Sequence, residues 1–112
     1  MESDRTHDQL VASLVEIFTQ HRGRGNGISA RDLAAQLAVP PRTVRNLITE
    51  QRLLGFAICG HPATGYFVAM NDQELAETCE FLRQRALHSL RLLSVMSGQS
   101  MAELLGQLRL PT

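Results

Sequence analysis

Five polar residues, most of which would share one side of a helix, carry the chemistry that this sequence offers. They are Arg42, Thr43, Arg45, Asn46 and Thr49. At 100° per residue, all but the first threonine fall within about 100° of arc. An arginine guanidinium can form paired hydrogen bonds with phosphate or guanine, and an asparagine amide can do so with adenine. Threonine can bind phosphate or contact a thymine methyl group, so the set predicts contact with DNA.

A helix running from about Pro41 to Leu54 must present these side chains. Pro41 suits the first turn of a helix, where its missing amide hydrogen costs nothing. Gly55 is the expected C-terminal cap. The opposite side of the helix is expected to be buried and consists of Val44, Leu47, Ile48 and Gln51.

A shorter helix precedes this one, across a tight turn at Val39 and Pro40. Ser29 is expected to cap its N-terminus, where the helix amides could also hold a phosphate. Its predicted buried residues are Leu33, Ala34 and Leu37. Two helices joined in this way are typical of a helix-turn-helix, whose second helix fits the DNA major groove.

The flanking segments complete the predicted domain. Apolar residues recur at helical spacing from His7 to Gln20, and the glycine-rich residues 21–27 are interpreted as a flexible basic loop. Downstream, Phe56–Cys59 and Tyr66–Ala69 are rich in strand-forming residues, with the turn-rich loop Gly60–Gly65 between them. This hairpin would form the wing of a winged helix.

A long helix is predicted next, capped by Asn71 or Asp72 and reaching about Ser97. Gly98 ends it, and Ser100 to Glu103 matches a capping box that would open a short terminal helix. The apolar stripe of the long helix could pack within its own chain. However, a helix of roughly 37 Å is longer than a small winged domain needs, which favours homodimer formation. The predicted dimerisation residues are Leu75, Leu82, Ala86, Leu90, Leu93, Met96, Leu104, Leu105 and Leu108.

Charge is distributed unevenly along the chain. The 112 residues have a formal net charge of zero. Residues 22–52, which include the helix-turn-helix, nevertheless contain six arginines and only two acidic residues. A local basic face of this kind, rather than the total charge, determines affinity for nucleic acid.

The sequence argues against an enzyme, a metalloprotein and a membrane protein. No phosphate-binding loop, nucleophile motif or cluster at metal-ligand spacing occurs, so no catalytic residue, metal or cofactor is expected. Cys59 and Cys79 lie far apart, and we expect two buried, reduced thiols. The apolar runs are too short for a signal peptide or a membrane span, which favours a cytoplasmic protein.

Residues 27–69 resemble the winged helix-turn-helix family, most closely the DNA-binding module of biotin-repressor-type regulators. The chain is also similar to small winged regulators of bacteria and their prophages. The resemblance implies that the third helix reads the major groove and that the wing, with His61 and Thr64, contacts phosphate or the minor groove. The biotin-ligase domain is absent, so that activity is not implied. The matching residues are Ile28, Ser29, Leu33, Ala34, Leu37, Val39, Val44, Leu47, Ile48, Gly55, Gly65 and Tyr66.

We therefore expect a mainly α protein with a small β-hairpin. A winged helix-turn-helix would occupy residues 1–70, and a long helix with a short terminal helix would form the dimer over residues 71–112. Such a protein would bind double-stranded DNA at a near-palindromic site and regulate transcription. No separate effector domain is predicted, so a small-molecule effector, where one exists, would bind at the dimer interface.

Two other functions stay open. One is a replication or partition accessory protein of a phage or plasmid, which would bind DNA with the same fold. The other is a winged adaptor that binds a protein instead of DNA. The zero net charge and a wing without lysine or arginine favour the adaptor.

Overall fold

The chain folds into a winged helix-turn-helix followed by a long helix and a short terminal helix. The computed structural model describes residues 6–108. The predicted fold class, mainly α with a small β-hairpin, is confirmed. A 3-10 turn, Arg24–Asn26, lies between the first two helices. The helices and strands are α1 (His7–Phe18), α2 (Ala30–Leu37), α3 (Pro41–Leu53), β1 (Ile58–His61), β2 (Gly65–Val68), α4 (Asp72–Ser97) and α5 (Met101–Leu108).

The chain divides into two compact units at the bond between Thr78 and Cys79, inside α4. Residues 6–78 belong to the first unit and residues 79–108 to the second. The outer ends of the predicted segments 1–70 and 71–112 lie outside the described residues.

An aliphatic core holds the first unit together. The predicted inner sides of α2 and α3 are buried, and a helical apolar stripe of this kind fixes which side of each helix faces outward. The ring of Phe18 meets that of Phe56 edge to face, with 6.3 Å between their centroids. The buried cluster consists of Leu14, Phe18, Ile28, Leu33, Ala34, Leu37, Val44, Leu47, Ile48 and Ile58.

The turn between α2 and α3 depends on a left-handed residue. Ala38 ends α2 at φ 57° and ψ 45°, a conformation that is common after a helix but uncommon for a residue other than glycine. The N–H of Val39 then donates to the carbonyl oxygen of Ala34 at 3.1 Å. Pro40 precedes α3 and Pro41 begins it, as predicted.

The wing is shorter and shifted relative to its prediction. The antiparallel register pairs Gly60 with Tyr66 and His61 with Gly65. The predicted loop Gly60–Gly65 is therefore wrong, because both of its ends belong to strands and the turn is only Pro62–Thr64. Glycine has low strand propensity, so the pairing of Gly60 and Gly65 leaves no signal in the sequence.

The segment before α2, predicted as a flexible loop, is bonded along β2. The N–H of Gly23 donates to the carbonyl oxygen of Val68 at 2.9 Å. The N–H of Val68 donates to the carbonyl oxygen of His21 at 2.8 Å. Further along, Ile28 and Tyr66 exchange two backbone hydrogen bonds of 2.8 and 2.7 Å. Residues 22–28 thus form a third, strand-like segment beside the hairpin. The helix α1 ends two residues earlier than predicted.

The second unit contains the C-terminal part of α4 and all of α5. Gly98, at φ +75°, ends α4 as predicted. The predicted capping box opens α5: the N–H of Glu103 donates to Ser100 Oγ at 3.1 Å, and the N–H of Ser100 donates to Glu103 Oε1 at 2.8 Å. The hydrogen bond from the Ser100 N–H, and then that with its side chain, lowers the pKa of Glu103.

One side of α4 is left uncovered by the described chain. Leu82 and Leu93 are 41% and 47% exposed. Cys79, on the same side, is exposed, whereas Cys59 is buried. The expectation of two buried thiols is therefore wrong for Cys79, because no other described segment covers that side of the helix.

Replacing Gly65 with alanine is expected to destabilise the first unit by about 2 kcal/mol. Gly65 adopts φ +76°, and an added Cβ would lie 2.6 Å from the carbonyl oxygen of Ile28. The substitution would therefore strain the backbone and push the strand-like segment 22–28 away from the wing. Urea denaturation followed by circular dichroism measures the change. Gly25→Ala is the control, because a Cβ there meets open space; equal effects of the two substitutions would contradict the prediction.

Candidate nucleic-acid interface

The outer side of α3 carries the predicted DNA-contact residues. Arg42, Arg45, Asn46 and Thr49 are exposed, and Thr43 is half-buried. The opposite side of α3 is buried in the core of the first unit. Because that burial fixes the rotation of the helix, the polar residues form one continuous outward surface, which we call the α3 face.

The positive charge of the α3 face is not neutralised within the described residues. No side-chain hydrogen bond or ion pair joins Arg42 or Arg45 to another group of residues 6–108. Glu50 is the only acidic residue of α3, and its Oε1 lies 2.7 Å from the Nε2 of His7. The carboxylate therefore faces α1, and both guanidinium groups stay available to an external anion.

Arg52, near the end of α3, is engaged within the protein. Its Nε donates to the carbonyl oxygen of Ile58 at 2.7 Å, and its guanidinium carbon lies 5.9 Å from the centroid of the Tyr66 ring. Gly60 leaves room for these groups, since a Cβ there would lie 2.9 Å from the ring of Tyr66. Arg52 thus joins the end of α3 to both strands of the wing.

Arg24 is engaged at the other side of the first unit. Its guanidinium forms an ion pair with Glu77, and its backbone N–H donates to Glu74 Oε2 at 2.9 Å. The N–H of Met70 donates to the other oxygen of Glu74 at 2.9 Å. The hydrogen bond from Met70, followed by that from Arg24, holds the pKa of Glu74 below its ordinary value. The 3-10 turn is therefore fastened to the start of α4.

The N-terminus of α2 adjoins the turn of the wing. Ser29 Oγ accepts a hydrogen bond from the N–H of Asp32 at 3.0 Å, which confirms the predicted cap. A Cβ on Gly65 would lie 3.0 Å from the backbone nitrogen of Ser29, and Thr64 directly precedes that glycine. The structure therefore brings Ser29 and Thr64, two of the predicted contact residues, to one edge of the domain.

His61 is exposed at the end of β1. Its Nδ1 accepts from the N–H of Ala63 at 3.1 Å, so the imidazole helps to shape the turn. Thr64 Oγ1 donates to the carbonyl oxygen of Gly65 at 3.3 Å and is half-buried. Both predicted wing residues thus have structural hydrogen bonds in the turn.

Sequence reasoning missed the distinction between engaged and available arginines. The basic segment was predicted as one unit, whereas Arg24 and Arg52 have partners within the protein. One weak signal existed in the sequence, the acidic pair Glu74 and Glu77 in the first turns of α4.

Arg52→Ala is expected to destabilise the protein by about 2 kcal/mol, since it removes a charged hydrogen bond and a contact with an aromatic ring. Arg45 is the matched control, because it lies seven residues earlier on nearly the same side of α3 and has no partner within residues 6–108. Arg45→Ala should change stability by no more than about 0.5 kcal/mol. Urea denaturation of both variants tests this, and comparable losses would show that the distinction is wrong.

Comparison with known proteins found a likeness to solved structures alone. No family model and no curated protein matches the chain. Among solved structures, the chain is similar to a GntR family transcriptional regulator from Listeria monocytogenes. The two are 17% identical, with a TM-score of 0.46 over 97% of each chain. Within residues 6–108, no helix has the length and apolar character to cross a membrane, and no three His, Cys, Asp or Glu residues are grouped to hold a metal ion.

Proposed function

We propose that this protein is a DNA-binding transcriptional regulator whose helix α3 enters the major groove. The observation that supports the proposal is the α3 face, on which Arg42 and Arg45 are exposed and unneutralised within residues 6–108. Such a surface on the second helix of a helix-turn-helix suits phosphate and the base edges of the major groove. The protein would act in the cytoplasm, where bacterial DNA lies.

Each residue of the α3 face has a role that follows from its chemistry. Arg42 and Arg45 would donate paired hydrogen bonds to guanine O6 and N7 or bind phosphate. Asn46 would read adenine through its amide. Thr43 and Thr49 would bind phosphate or contact a thymine methyl group, and the phosphate contacts would hold the helix in register along the groove.

A second set of contacts would flank the groove. Ser29 stands at the N-terminus of α2, where backbone amides and the helix dipole favour a phosphate. Thr64 and His61 would meet the DNA backbone from the turn of the wing. Because the wing has neither lysine nor arginine, these contacts would add less to affinity than those of α3.

We further propose that the C-terminal helices make the protein a homodimer. Leu90 is half-buried and Leu104 is buried in the single chain, so they are less available to a partner. The other predicted contact residues are exposed to water, which is unfavourable for apolar side chains. A second copy of the chain would remove these side chains from water. Two copies would place two α3 helices on half-sites about 34–36 Å apart, which requires a near-palindromic target. The exposed predicted contact residues are Leu75, Leu82, Ala86, Leu93, Met96, Leu105 and Leu108.

The double variant Arg42→Ala/Arg45→Ala is expected to bind DNA about tenfold more weakly than the natural protein. Wherever the lost contacts are with phosphate, the slope of log affinity against log salt concentration should fall by about one per arginine. Fluorescence anisotropy with a labelled duplex of mixed sequence, between about 50 and 200 mM salt, measures both quantities.

Arg91→Ala is the control for that experiment, since Arg91 is an exposed α4 arginine that also lacks a side-chain partner within residues 6–108. It should bind as the natural protein does. If the double variant is folded and binds equally well, α3 is not the reading helix. If none of the proteins binds at low salt, DNA binding itself is refuted and the winged adaptor becomes the better hypothesis.

The double variant Leu82→Ser/Leu93→Ser is expected to shift the protein from dimer to monomer, because it removes apolar surface from the centre of the proposed interface. Sedimentation equilibrium gives the molecular mass directly. Val95→Ser is the matched control: Val95 is 83% exposed but lies about 200° around the helix from Leu93. A natural protein that sediments as a monomer at micromolar concentration would contradict the dimer.

A further inference from the structure

Charged residues are segregated along α4. All four acidic residues of the helix, Asp72, Glu74, Glu77 and Glu80, precede all of its arginines. The arginines are Arg83, Arg85 and Arg91. The N-terminal third of α4 therefore contains the acidic residues, of which Glu77 pairs with Arg24 and Glu80 with Arg83, and the remainder is positive.

The helix dipole does not account for this segregation. Its effect is confined to the first and last turns of a helix. Only Asp72 and Glu74 lie in the first turn, and the last turn contains no basic residue. Glu80 and Arg83, in the middle of the helix, lie on either side of the change in sign. A second copy of the helix with its direction reversed would match positive residues with negative ones.

The apolar side of α4 is symmetric about Ala86. Cys79 and Leu93 stand seven residues before and after this alanine, and Leu82 and Leu90 stand four residues before and after it. Leu90 is half-buried within its own chain, whereas the other four are exposed. Steps of four and seven return to the same side of an α-helix. Reversal of the helix about Ala86 therefore places each of these positions opposite a counterpart, with a small side chain at the centre.

We infer that two copies of this chain pair through α4 in antiparallel orientation, with the two-fold axis beside Ala86. The inference rests on the proposed homodimer and specifies its geometry. Cys79 of each copy lies opposite Leu93 of the other, and Leu82 lies opposite Leu90. The alanine at the axis allows the two helices to approach closely, since no large side chain separates them there.

Parallel pairing is disfavoured by the same charges. It would align the acidic segments with each other and the arginine segments with each other. The carboxylate of Glu80 accepts from the amide of Gln84 at 2.7 Å and pairs with the guanidinium of Arg83. These contacts, the hydrogen bond from Gln84 first, lower the pKa of Glu80. Salt would weaken this preference, because exposed charges are screened.

Cysteine crosslinking distinguishes the two orientations. In the antiparallel dimer, Cys79 is about 21 Å along the helix from Cys79 of the other copy, since fourteen residues rise at 1.5 Å each. A disulfide requires Cα atoms about 4.4–6.8 Å apart. The natural protein should therefore not crosslink through Cys79. Leu93→Cys would place a thiol opposite Cys79, and Cys59 is buried and contributes nothing.

Each protein is treated with copper phenanthroline, and the products are separated without reductant. Leu93→Cys should form covalent dimer at least ten times faster than the natural protein. The control Cys79→Ser/Leu93→Cys should be as slow as the natural protein, because its thiols are again about 21 Å apart. Sedimentation under reducing conditions is run on all three proteins to establish that each is a dimer before oxidation.

The remaining outcomes overturn the inference in separable ways. Rapid crosslinking of the natural protein through Cys79 would show a parallel pair, which leaves the homodimer intact. A dimer by sedimentation that none of the three proteins crosslinks would show that another surface pairs. A monomer by sedimentation would refute the homodimer itself, and the antiparallel geometry with it.

Discussion

The two hydrogen bonds that Ile28 and Tyr66 exchange determine how the parts of the first unit are held together. They join the residue before the cap of α2 to the second strand of the wing, at 2.8 and 2.7 Å. Glycines at positions 27 and 65 permit this approach, because a Cβ on either would meet backbone of the other segment. The start of α2 is thereby set against the wing, and α3 follows α2 after a short turn. The spacing between the α3 face and the wing depends on this junction.

The same unit shows how a protein without net charge can present a cationic surface. The guanidinium of Arg24 is neutralised by Glu77, and that of Arg52 lies against Tyr66 and the carbonyl oxygen of Ile58. These two arginines stabilise the domain, whereas Arg42 and Arg45 are left for an external anion. For the proposed DNA-binding function, this means that affinity should depend on a few contacts, with modest nonspecific binding and a shallow salt slope.

Local patterns in the sequence correctly predicted the buried sides of the helices and their caps. The buried sides of α2 and α3, the cap at Ser29 and the capping box at Ser100 all follow from spacing within a few residues, and the structure confirms them. The phase of α3 also predicted which of its polar side chains are exposed. Local signals are strong because a helix satisfies its own hydrogen bonds.

Features that depend on distant segments were not predictable in this way. The predicted bounds of the wing strands were displaced because the observed ladder includes Gly60 and Gly65, and glycine has a low strand propensity. The strand-like segment 22–28 is joined to β2 only by single bridges, and its sequence has no alternation of apolar and polar residues. The partners of Arg52 come from β1 and β2, so its role emerges only when the wing folds back on α3. The exposure of Cys79 likewise depends on whether a distant segment packs against its side of α4.

The central claim is that α3 is the surface that meets DNA, and nuclear magnetic resonance tests it most directly. A 12.4 kDa chain is small enough for backbone amide spectra. The nitrogen-15-labelled protein is titrated with a short duplex of mixed sequence at low salt. If α3 meets DNA, the largest amide shifts fall between Arg42 and Thr49, with smaller ones at Ser29 and the wing turn. Shifts centred on α4 and α5, or a spectrum that DNA leaves unchanged, would contradict it.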